Sequence, residues 1–252
     1  MRQRSATDGP TCWLDVELPT VAENLALDEA LLDQAHEAPA AATLVRTWMA
    51  AEPVVVLGSS SSVGGEVDAE ACRSEGVRVI RRPSGGLTVV LGPGCLMWSV
   101  IASWPTAVPA IDAIHAAMLE PLCTTLAAAG RPVVRRGSSD LAMTVDGCDR
   151  KISGNALRVR RRAVLYHGTL LDDFDLGIVS RVLRHPPREP DYRAHRDHAT
   201  FLANLGLGRA TLEATVRRAF GAEVIRSDWP ADRVAQLVRD RYLDEAWTHR
   251  LA

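Results

Sequence analysis

The sequence predicts an α+β fold in which a mixed, largely antiparallel β-sheet is flanked by helices. Short apolar, β-branched runs fill most of the chain up to Asp175, and helical patterns dominate after it. The strands and helices do not alternate regularly, as they would in a βαβ protein. With 252 residues, 47% of them hydrophobic, the chain is long enough for one large core. We therefore expect residues 1–252 to form a single domain.

The elements of the first half follow from apolar spacing. The stretch "NLALDEALLDQA" has helical periodicity and predicts a helix from about Val21 to His36. "GSSSSVGG" is a loop by composition, and a short helix is expected over residues 68–75. Apolar runs predict strands at residues 43–48, 53–57, 77–82, 87–91 and 95–102. Only "GPG" separates the last two runs, so we expect them to be antiparallel neighbours.

The second half begins with a long amphipathic helix over residues 110–129, with Pro121 inside it. Residues 140–171 read as strand, turn, strand, turn, strand. Helical patterns then close the chain, notably over residues 211–220 and 231–242. The polar stretch "RHPPREPDYRAHRDH" is predicted to be a loop between helices.

Composition excludes several functional classes. The formal net charge of −2 gives no global attraction to nucleic acid, so none is expected as a partner. No run of about 18 apolar residues exists, and the N-terminus lacks the pattern of a secretory signal, so no membrane partner is expected. The five cysteines are scattered and odd in number, which favours reduced thiols and a cytoplasmic location.

The segment "RRPSGGLTVVLGPGC" combines fixed positive charge with bare backbone. The N–H groups of Ser84-Gly85-Gly86 are suited to an anion-binding concavity, and Arg81 and Arg82 to bidentate contacts with phosphate or carboxylate. The segment is neither a P-loop nor a dinucleotide-binding glycine motif. A glycine-rich turn carrying two surface arginines remains an alternative.

Three further side chains are candidates for chemistry. Lys151 in "DRKISGNA" precedes a glycine turn, where its charge would stabilise a phosphate or a developing oxyanion. Asp140 in "GSSDLAM" is a candidate magnesium ligand, and His167 in "YHGTLL" a candidate site residue. The alternatives are a solvated hairpin lysine, a turn-capping aspartate and an outward-facing hairpin histidine.

Taken together, these stretches resemble the lipoate–protein ligase family, part of the biotin/lipoyl ligase and octanoyltransferase superfamily. The motifs that carry the resemblance are "NLALDEALL", "RRPSGG…GPG", "SSDLAMTVDGCDRKISGNA", "YHGTLL" and "VAQLVRDRYLDEAWTHR". The resemblance implies a catalytic domain similar to class II synthetases and biotin ligases. It also implies that the C-terminal accessory domain of larger ligases is absent, and that a separate protein supplies it or it is dispensable.

The resemblance implies a two-step reaction with ATP and Mg²⁺ as cofactors and lipoate as substrate. Lipoate and ATP form lipoyl-adenylate, and a lysine of an acceptor lipoyl domain then attacks it. The implied acceptors are the E2 subunit of a 2-oxoacid dehydrogenase or a protein similar to the glycine cleavage H protein.

The resemblance also implies residue roles. Lys151 would bind the adenylate oxygens and polarise the acyl carbonyl, and Asp140 would position magnesium or the incoming amine. Arg82 would bind phosphate, and His167 would line the acyl tunnel or brace the lysine. The implied contacts to lipoate and acyl-adenylate are Arg82, Ser84, Gly85, Gly86, Gly94, Ser153, Gly154, His167, Gly168 and Thr169.

The sequence departs from the family pattern in the glycine loop. Leu87 replaces a glycine, Leu91-Gly92 replaces a His-Asp pair, and Cys95 replaces an asparagine. An octanoyltransferase is the main alternative, and it requires a cysteine nucleophile. The usual positions lack one, which leaves Cys95 and Cys148 as substitutes.

Two other functions stay open at this level: a biotin ligase, whose GRGRRG-type loop is missing, and a non-enzymatic protein that binds acyl groups or lipoyl domains. The basic run Arg158–Arg162 is either a docking patch for an acidic lipoyl domain or carrier protein, or a solvated turn.

Overall fold

Twelve strands and nine α-helices occupy the residues that the computed structural model describes, which are 10–37, 43–104 and 108–251. The strands are β1 (Thr11–Leu14), β2 (Thr43–Met49), β3 (Val54–Leu57), β4 (Arg78–Arg81), β5 (Val89–Leu91), β6 (Cys95–Ser103), β7 (Val134–Arg136), β8 (Asp140–Val145), β9 (Cys148–Ser153), β10 (Asn155–Val159), β11 (Ala163–Leu171) and β12 (Val224–Arg226). The helices are α1 (Val21–Glu37), α2 (Val63–Glu66), α3 (Ala69–Ser74), α4 (Ile111–Ala128), α5 (Leu176–Val182), α6 (His198–Phe201), α7 (Arg209–Ala219), α8 (Ala231–Leu237) and α9 (Glu245–Thr248). A 3₁₀ turn (Asp191–Arg193) and a π-helical turn (Val238–Tyr242) complete the set.

The strands form one six-stranded and two three-stranded sheets. The large sheet has the order β10-β11-β6-β2-β1-β12, antiparallel from β10 to β2 and parallel from β2 to β12. One small sheet has the order β4-β3-β5, and the other, β7-β8-β9, is antiparallel throughout. The predicted α+β class with a mixed, largely antiparallel sheet flanked by helices is confirmed.

The two central strands, β6 and β11, are buried along almost their whole length. Their side chains alternate between two apolar cores because successive strand residues point to opposite faces. Met97 and Ile101 pack with α1 on one face, and Trp98 and Val100 pack with α4 and α7 on the other. Burial on both faces explains why "CLMWSVIA" reads as a continuous apolar run.

Most of the predicted elements are confirmed, with ends that differ by two residues or fewer. Two predictions of local structure are wrong in part. "GSSSSVGG" contains the short helix α2, whose first turn is capped by the Ser62 side chain. The stretch "RHPPREPDYRAHRDH" contains the 3₁₀ turn at residues 191–193 and the first residue of α6.

The prediction that β5 and β6 are antiparallel neighbours is also wrong. β5 pairs with β3 in a small sheet, while β6 pairs with β2 and β11 in the large one. The turn between them crosses from one sheet to the other. Gly94 has φ +82°, and a Cβ there would lie 2.1 Å from the carbonyl oxygen of Asp173. This tight packing against the end of β11 redirects the chain.

The segment after the turn at residues 146–147 is divided between two sheets at Gly154. Its first part, β9, belongs to a small sheet, and its second part, β10, is an edge strand of the large sheet. Residues 153–155 therefore lie at the seam between two sheets. Such a seam leaves a crevice that neither sheet fills.

A buried ion pair joins α1 to the large sheet. The Arg46 guanidinium of β2 lies 2.7 Å from Asp28 Oδ1 and donates to Asn24 Oδ1 at 2.6 Å, while Ser99 Oγ of β6 donates to Asp28 Oδ1 at 2.9 Å. Burial alone would raise the pKa of the Asp28 carboxyl, but the Arg46 charge and the nearby His167 ring outweigh it and lower the pKa. Asp28 is therefore a carboxylate at neutral pH.

No helix in the described ranges is long and apolar enough to cross a membrane.

We expect Arg46→Met to destabilise the protein by about 3–5 kcal/mol, because it leaves the Asp28 carboxylate buried without its counter-charge. The double variant Arg46→Met, Asp28→Leu should recover much of the loss. Urea denaturation followed by far-ultraviolet circular dichroism measures both. The control is Arg226→Met, since Arg226 pairs with Asp228 in solvent and its loss should cost less than about 1 kcal/mol. A similar small cost for Arg46→Met would contradict the role of the pair.

Candidate active site

A cavity of about 650 Å³ opens at the seam between the sheets. Its lining comes from α1, β3, β5, β6, the glycine loop after β4, the start of β8 with the turn before it, the β9–β10 junction, β11, and the 3₁₀ turn with the loop before it. Eight of the twelve predicted site residues line this cavity: Arg82, Gly86, Asp140, Lys151, Gly154, His167, Gly168 and Thr169. The other four, Ser84, Gly85, Gly94 and Ser153, do not.

Lys151 lies on the wall of this pocket and is paired with Asp140. The Lys151 Nζ is 2.8 Å from Asp140 Oδ1, and Tyr192 Oη donates to Asp140 Oδ2 at 2.9 Å. A register irregularity between Leu141 and Ala142 in the β8–β9 pair lies beside this contact. Because one N–H of the ammonium group faces Asp140, the other two remain for a ligand in the pocket.

Gly154 leaves space for the lysine side chain. A Cβ at this position would lie 3.0 Å from Lys151 Cε and 3.1 Å from Nζ. The turn is fixed to β11 because Gly154 N donates to Thr169 Oγ1 and Thr169 N donates to the Gly154 carbonyl, both at 3.1 Å. The Ser-Gly pair after the lysine thus serves to place its ammonium group.

Asn155 lies in the pocket wall but was not predicted as a site residue. Its amide donates to the Ser139 carbonyl at 2.7 Å and to Ser153 Oγ at 3.0 Å. A Cβ on Gly168 would lie 1.7 Å from Asn155 Oδ1, so only glycine fits at that position of β11. Asn155 could have been found from the sequence, because it is the polar residue directly after "SG" in "KISGNA".

Arg82 does not present its charge to the pocket as predicted. Its Nε donates to Ser84 Oγ at 3.0 Å, its Nη1 to the Val56 carbonyl at 3.1 Å, and its Nη2 to the carbonyls of Gly85 and Leu87 at 2.7 and 2.9 Å. Four of its five N–H groups are therefore bonded to the chain. Burial lowers the pKa of this guanidinium to about 10. Arg82 shapes the glycine loop from inside.

Arg81 is also structural. The side chain is fully buried and donates to the backbone carbonyls of Gly58, Ser61 and Thr248 at 2.7–2.9 Å. It joins the end of β4 to the loop after β3 and to α9. The predicted bidentate anion contact of this arginine is therefore wrong, because its donors are already used.

Ser84 lies behind the pocket wall. Its Oγ is 2.6 Å from His167 Nε2, and His167 Nδ1 is 3.6 Å from Asp28 Oδ2. Arg82 Nε donates to the same oxygen, so Ser84 links the histidine ring to the buried guanidinium. His167 thus connects the pocket wall to the buried Asp28–Arg46 pair.

The glycines of the loop differ in role. Gly86 faces the pocket with φ +87°, and a Cβ there would lie 3.0 Å from Arg82 Nη2. Gly85 does not line the pocket and offers its carbonyl to Arg82, while Gly94 packs against Asp173. Only Gly86 therefore permits close approach of a ligand.

Two of the residues that depart from the family pattern make one side of the pocket apolar. Leu87 and Leu91 line it, and Leu25, Val56 and Met97 adjoin them. An acyl chain suits such a wall because burying its methylene groups is favourable. Cys95 is buried in the adjoining core and does not line the pocket; burial raises the pKa of its thiol to about 12.

The side chains around Asp140 provide only part of the predicted Mg²⁺ site. Within the described ranges no group of three or more His, Cys, Asp or Glu side chains could hold a metal ion. Magnesium is commonly bound by one or two carboxylates together with substrate phosphates. Asp140, with lone pairs beyond those facing Lys151 and Tyr192, would supply one such ligand.

The basic run Arg158–Arg162 is largely used within the fold. Arg158 donates to the Pro83 carbonyl, Arg160 pairs with Asp33, and Arg162 donates to the His36 carbonyl. These contacts fix the β10–β11 hairpin against the glycine loop and α1. The exposed Arg161 is the remaining candidate for docking.

The sequence model of the lipoyl protein ligase A/B catalytic domain matches residues 20–220. A putative lipoate-protein ligase A from Aeropyrum pernix is 34% identical over 160 residues, which cover 64% of this chain and 57% of that protein. The octanoyltransferase LipM of Carboxydothermus hydrogenoformans is 30% identical over 265 residues, with 91% of this chain and 94% of that protein covered.

Two solved structures share the fold. The bi-partite lipoate protein ligase of Thermoplasma acidophilum, from a study that includes its E2 lipoyl domain, has a TM-score of 0.80 at 22% identity, with 98% of each chain covered. A lipoate-protein ligase A bound with ATP has a TM-score of 0.79 at 23% identity, covering 96% of this chain and all of that one. The fold is thus the class II synthetase-like fold of lipoate ligases, and the chain belongs to the lipoyl protein ligase A/B catalytic domain family, as its motifs predict.

Proposed function

We propose that this protein is a lipoate–protein ligase that activates lipoate or octanoate with ATP and transfers the acyl group to a lysine of a lipoyl domain. The observation that carries the proposal is a pocket with a cationic lysine and no thiol. All five cysteines lie in the described part of the chain, and none lines the cavity. A ligase needs no thiol because it carries the acyl group as a mixed anhydride.

In the first step, a carboxylate oxygen of lipoate attacks the α-phosphorus of ATP. The bond from that phosphorus to the bridging oxygen breaks, and pyrophosphate leaves. Lys151 is suited to bind the non-bridging α-phosphate oxygen, since its charge favours the more negative transition state. The apolar wall formed by Leu25, Leu91 and Met97 would hold the acyl chain. The ATP-bound relative of similar fold supports the assignment of ATP as substrate.

In the second step, the acceptor's lysine amine attacks the acyl carbonyl and releases a proton to solvent as the amide forms. The carbonyl–oxygen bond to AMP breaks, and AMP leaves with its electron pair. The Lys151 ammonium would stabilise the oxyanion that develops on the carbonyl. The Asp140 carboxylate lies beside Lys151, and a remaining lone pair on it would orient the incoming amine.

Phosphate charge in this proposal is bound mainly by Arg188. Arg82 is bonded to the chain, and Lys151 is assigned to the α-phosphate oxygen. Arg188 lies exposed at the rim of the pocket, and within the described ranges no ion pair or hydrogen bond occupies its guanidinium. It is thus the arginine of the pocket that is available for the β- and γ-phosphates of ATP. Mg²⁺, held by Asp140 and these phosphates, would neutralise their charge.

The acceptor in this proposal is a lipoyl domain, either of a 2-oxoacid dehydrogenase E2 subunit or of a protein similar to the glycine cleavage H protein. The study of the T. acidophilum ligase with its E2 lipoyl domain supports an acceptor of this kind. Residues 1–252 would act as one catalytic domain in the cytoplasm. Because that relative is bi-partite, the assay should be run with and without a separate accessory protein.

An octanoyltransferase is the second candidate, favoured by the similarity to octanoyltransferase LipM. It would carry the acyl group as a cysteine thioester. Cys95 is buried in the core, and burial raises the pKa of its thiol to about 12. Cys148 is exposed in the hairpin between β8 and β9, outside the pocket wall. Neither position suits a nucleophile that must reach this pocket.

Lys151→Ala should lower formation of lipoyl-AMP and lipoylation by about a hundredfold or more, because it removes the main electrostatic donor. The matched control is Arg150→Ala. Arg150 precedes Lys151 in the same strand, is outside the pocket wall, and should leave the rate unchanged. Adenylate formation is followed with radiolabelled ATP, and acceptor lipoylation by mass spectrometry. A folded Lys151→Ala protein with normal rates would refute the assignment.

The double variant Cys95→Ala, Cys148→Ser should keep substantial ATP-dependent lipoylation. The wild-type protein should form no hydroxylamine-sensitive acyl adduct after incubation with octanoyl carrier protein. Intact-mass measurement detects such an adduct. An octanoyl adduct on either cysteine, lost together with activity in the variant, would make the protein an octanoyltransferase.

Arg188→Gln should raise the KM for ATP about tenfold, as expected when one charged contact to phosphate is lost. Transfer from preformed lipoyl-AMP should change less than about twofold, because pyrophosphate has left by then. The control is Arg218→Gln, an exposed arginine of α7 on the opposite face of the large sheet. An unchanged KM for ATP would exclude Arg188 as the phosphate contact.

A further inference from the structure

Tyr192 contacts the proposed catalytic ion pair although nothing in the sequence motifs points to it. It lies in the 3₁₀ turn at residues 191–193 and lines the pocket. Its hydroxyl donates to Asp140 Oδ2 at 2.9 Å, while Asp140 Oδ1 faces Lys151 Nζ at 2.8 Å. Three side chains from three separate segments thus form a line that ends at the lysine ammonium.

The tyrosine ring is held from several sides. It packs against Phe201 of α6, with ring centroids 5.2 Å apart. Arg196 donates to the Tyr192 carbonyl at 2.6 Å and to the Asp149 carbonyl of β9 at 2.9 Å. The guanidinium of Arg193 lies 4.7 Å from the centroid of the Phe201 ring. These contacts fix the turn relative to the strand that carries Lys151.

The phenol is suited to hold the carboxylate in one orientation. A tyrosine hydroxyl has one proton to donate, and here it donates that proton to Asp140 Oδ2. A carboxylate that accepts a bond at each oxygen cannot rotate freely, so its plane and the position of the paired ammonium are both fixed.

We propose that Tyr192 is a positioning residue for acyl transfer: by holding Asp140, it aims the Lys151 ammonium at the acyl carbonyl. This inference rests on the proposed function, in which Lys151 acts on the acyl group. Without the hydroxyl, Asp140 can turn both oxygens toward Lys151 and draw the ammonium out of the pocket. Loss of the hydroxyl is therefore expected to change the rate of the chemical step and not the affinity for the acyl group.

The test uses Tyr192→Phe, which keeps the ring and its packing on Phe201 and removes only the hydroxyl. Single-turnover transfer from preformed lipoyl-AMP to an apo lipoyl domain should slow about tenfold, the factor for one lost hydrogen bond to a charged group. The affinity for lipoyl-AMP and the KM for the acceptor should change less than about twofold.

The matched control is Tyr242→Phe, which removes the same kind of hydrogen bond at a residue that does not line the pocket. Tyr242 Oη donates to Glu29 Oε2 at 2.8 Å and is fully buried. Its loss should lower the thermal midpoint and leave the transfer rate per folded protein unchanged. Tyr192→Phe should instead lower the transfer rate per folded protein and leave the thermal midpoint unchanged.

A double-mutant cycle separates positioning from general structure. If Tyr192 acts through Asp140, then in an Asp140→Ala background Tyr192→Phe should change the transfer rate less than about twofold. An unchanged rate in Tyr192→Phe, a change confined to affinity, or a full tenfold loss in the Asp140→Ala background would each overturn the inference.

The wild-type protein tests the proposed function separately. If it transfers octanoyl from carrier protein without ATP, the ligase proposal is wrong. The role of Tyr192 is then tested by the ratio of the Tyr192→Phe rate to the wild-type rate in that transfer. If it transfers acyl groups from neither donor, both proposals are overturned.

Discussion

The buried pair between Asp28 and Arg46 is the interaction on which both the fold and the pocket depend. It joins α1 to β2, and Ser99 of β6 shares the same carboxylate oxygen. From Asp28 the polar contacts continue through His167 and Ser84 to Arg82. Removing one partner of a buried polar pair leaves the other uncompensated, which is costly. The contacts therefore tie the position of α1 to that of the glycine loop.

The position of the pocket follows from the way the chain divides its strands among three sheets. Gly154 separates β9 from β10, so Lys151 lies in one sheet while its neighbours Asn155 and Gly168 lie in another. The glycine loop leaves the third sheet and covers the same junction. Secondary structure thus brings the lysine to the crevice, and the side-chain contacts of Asp140 and Tyr192 direct it within the crevice.

Much of this arrangement could be predicted from the sequence, because the relevant residues occur in short contiguous motifs. "KISGNA" and "HGTLL" gave the lysine, its turn and the facing strand, and apolar spacing gave most helices and strands. The change of sheet after Leu91 could not be predicted, because short separation in sequence does not reveal which sheet a strand joins. Tyr192 lies 41 residues beyond Lys151 in a polar stretch without periodicity, and only tertiary folding brings the two together.

The inward orientation of Arg82 affects how a mutational scan of this chain should be interpreted. Its guanidinium holds three backbone carbonyls and one hydroxyl, so replacing it would leave several buried acceptors without a donor. Loss of activity in an Arg82 variant would then accompany reduced yield of folded protein and increased susceptibility to proteolysis. Such a variant would score as inactive in any growth or turnover screen, and a screen without an abundance measurement would mistake this folding determinant for a ligand contact.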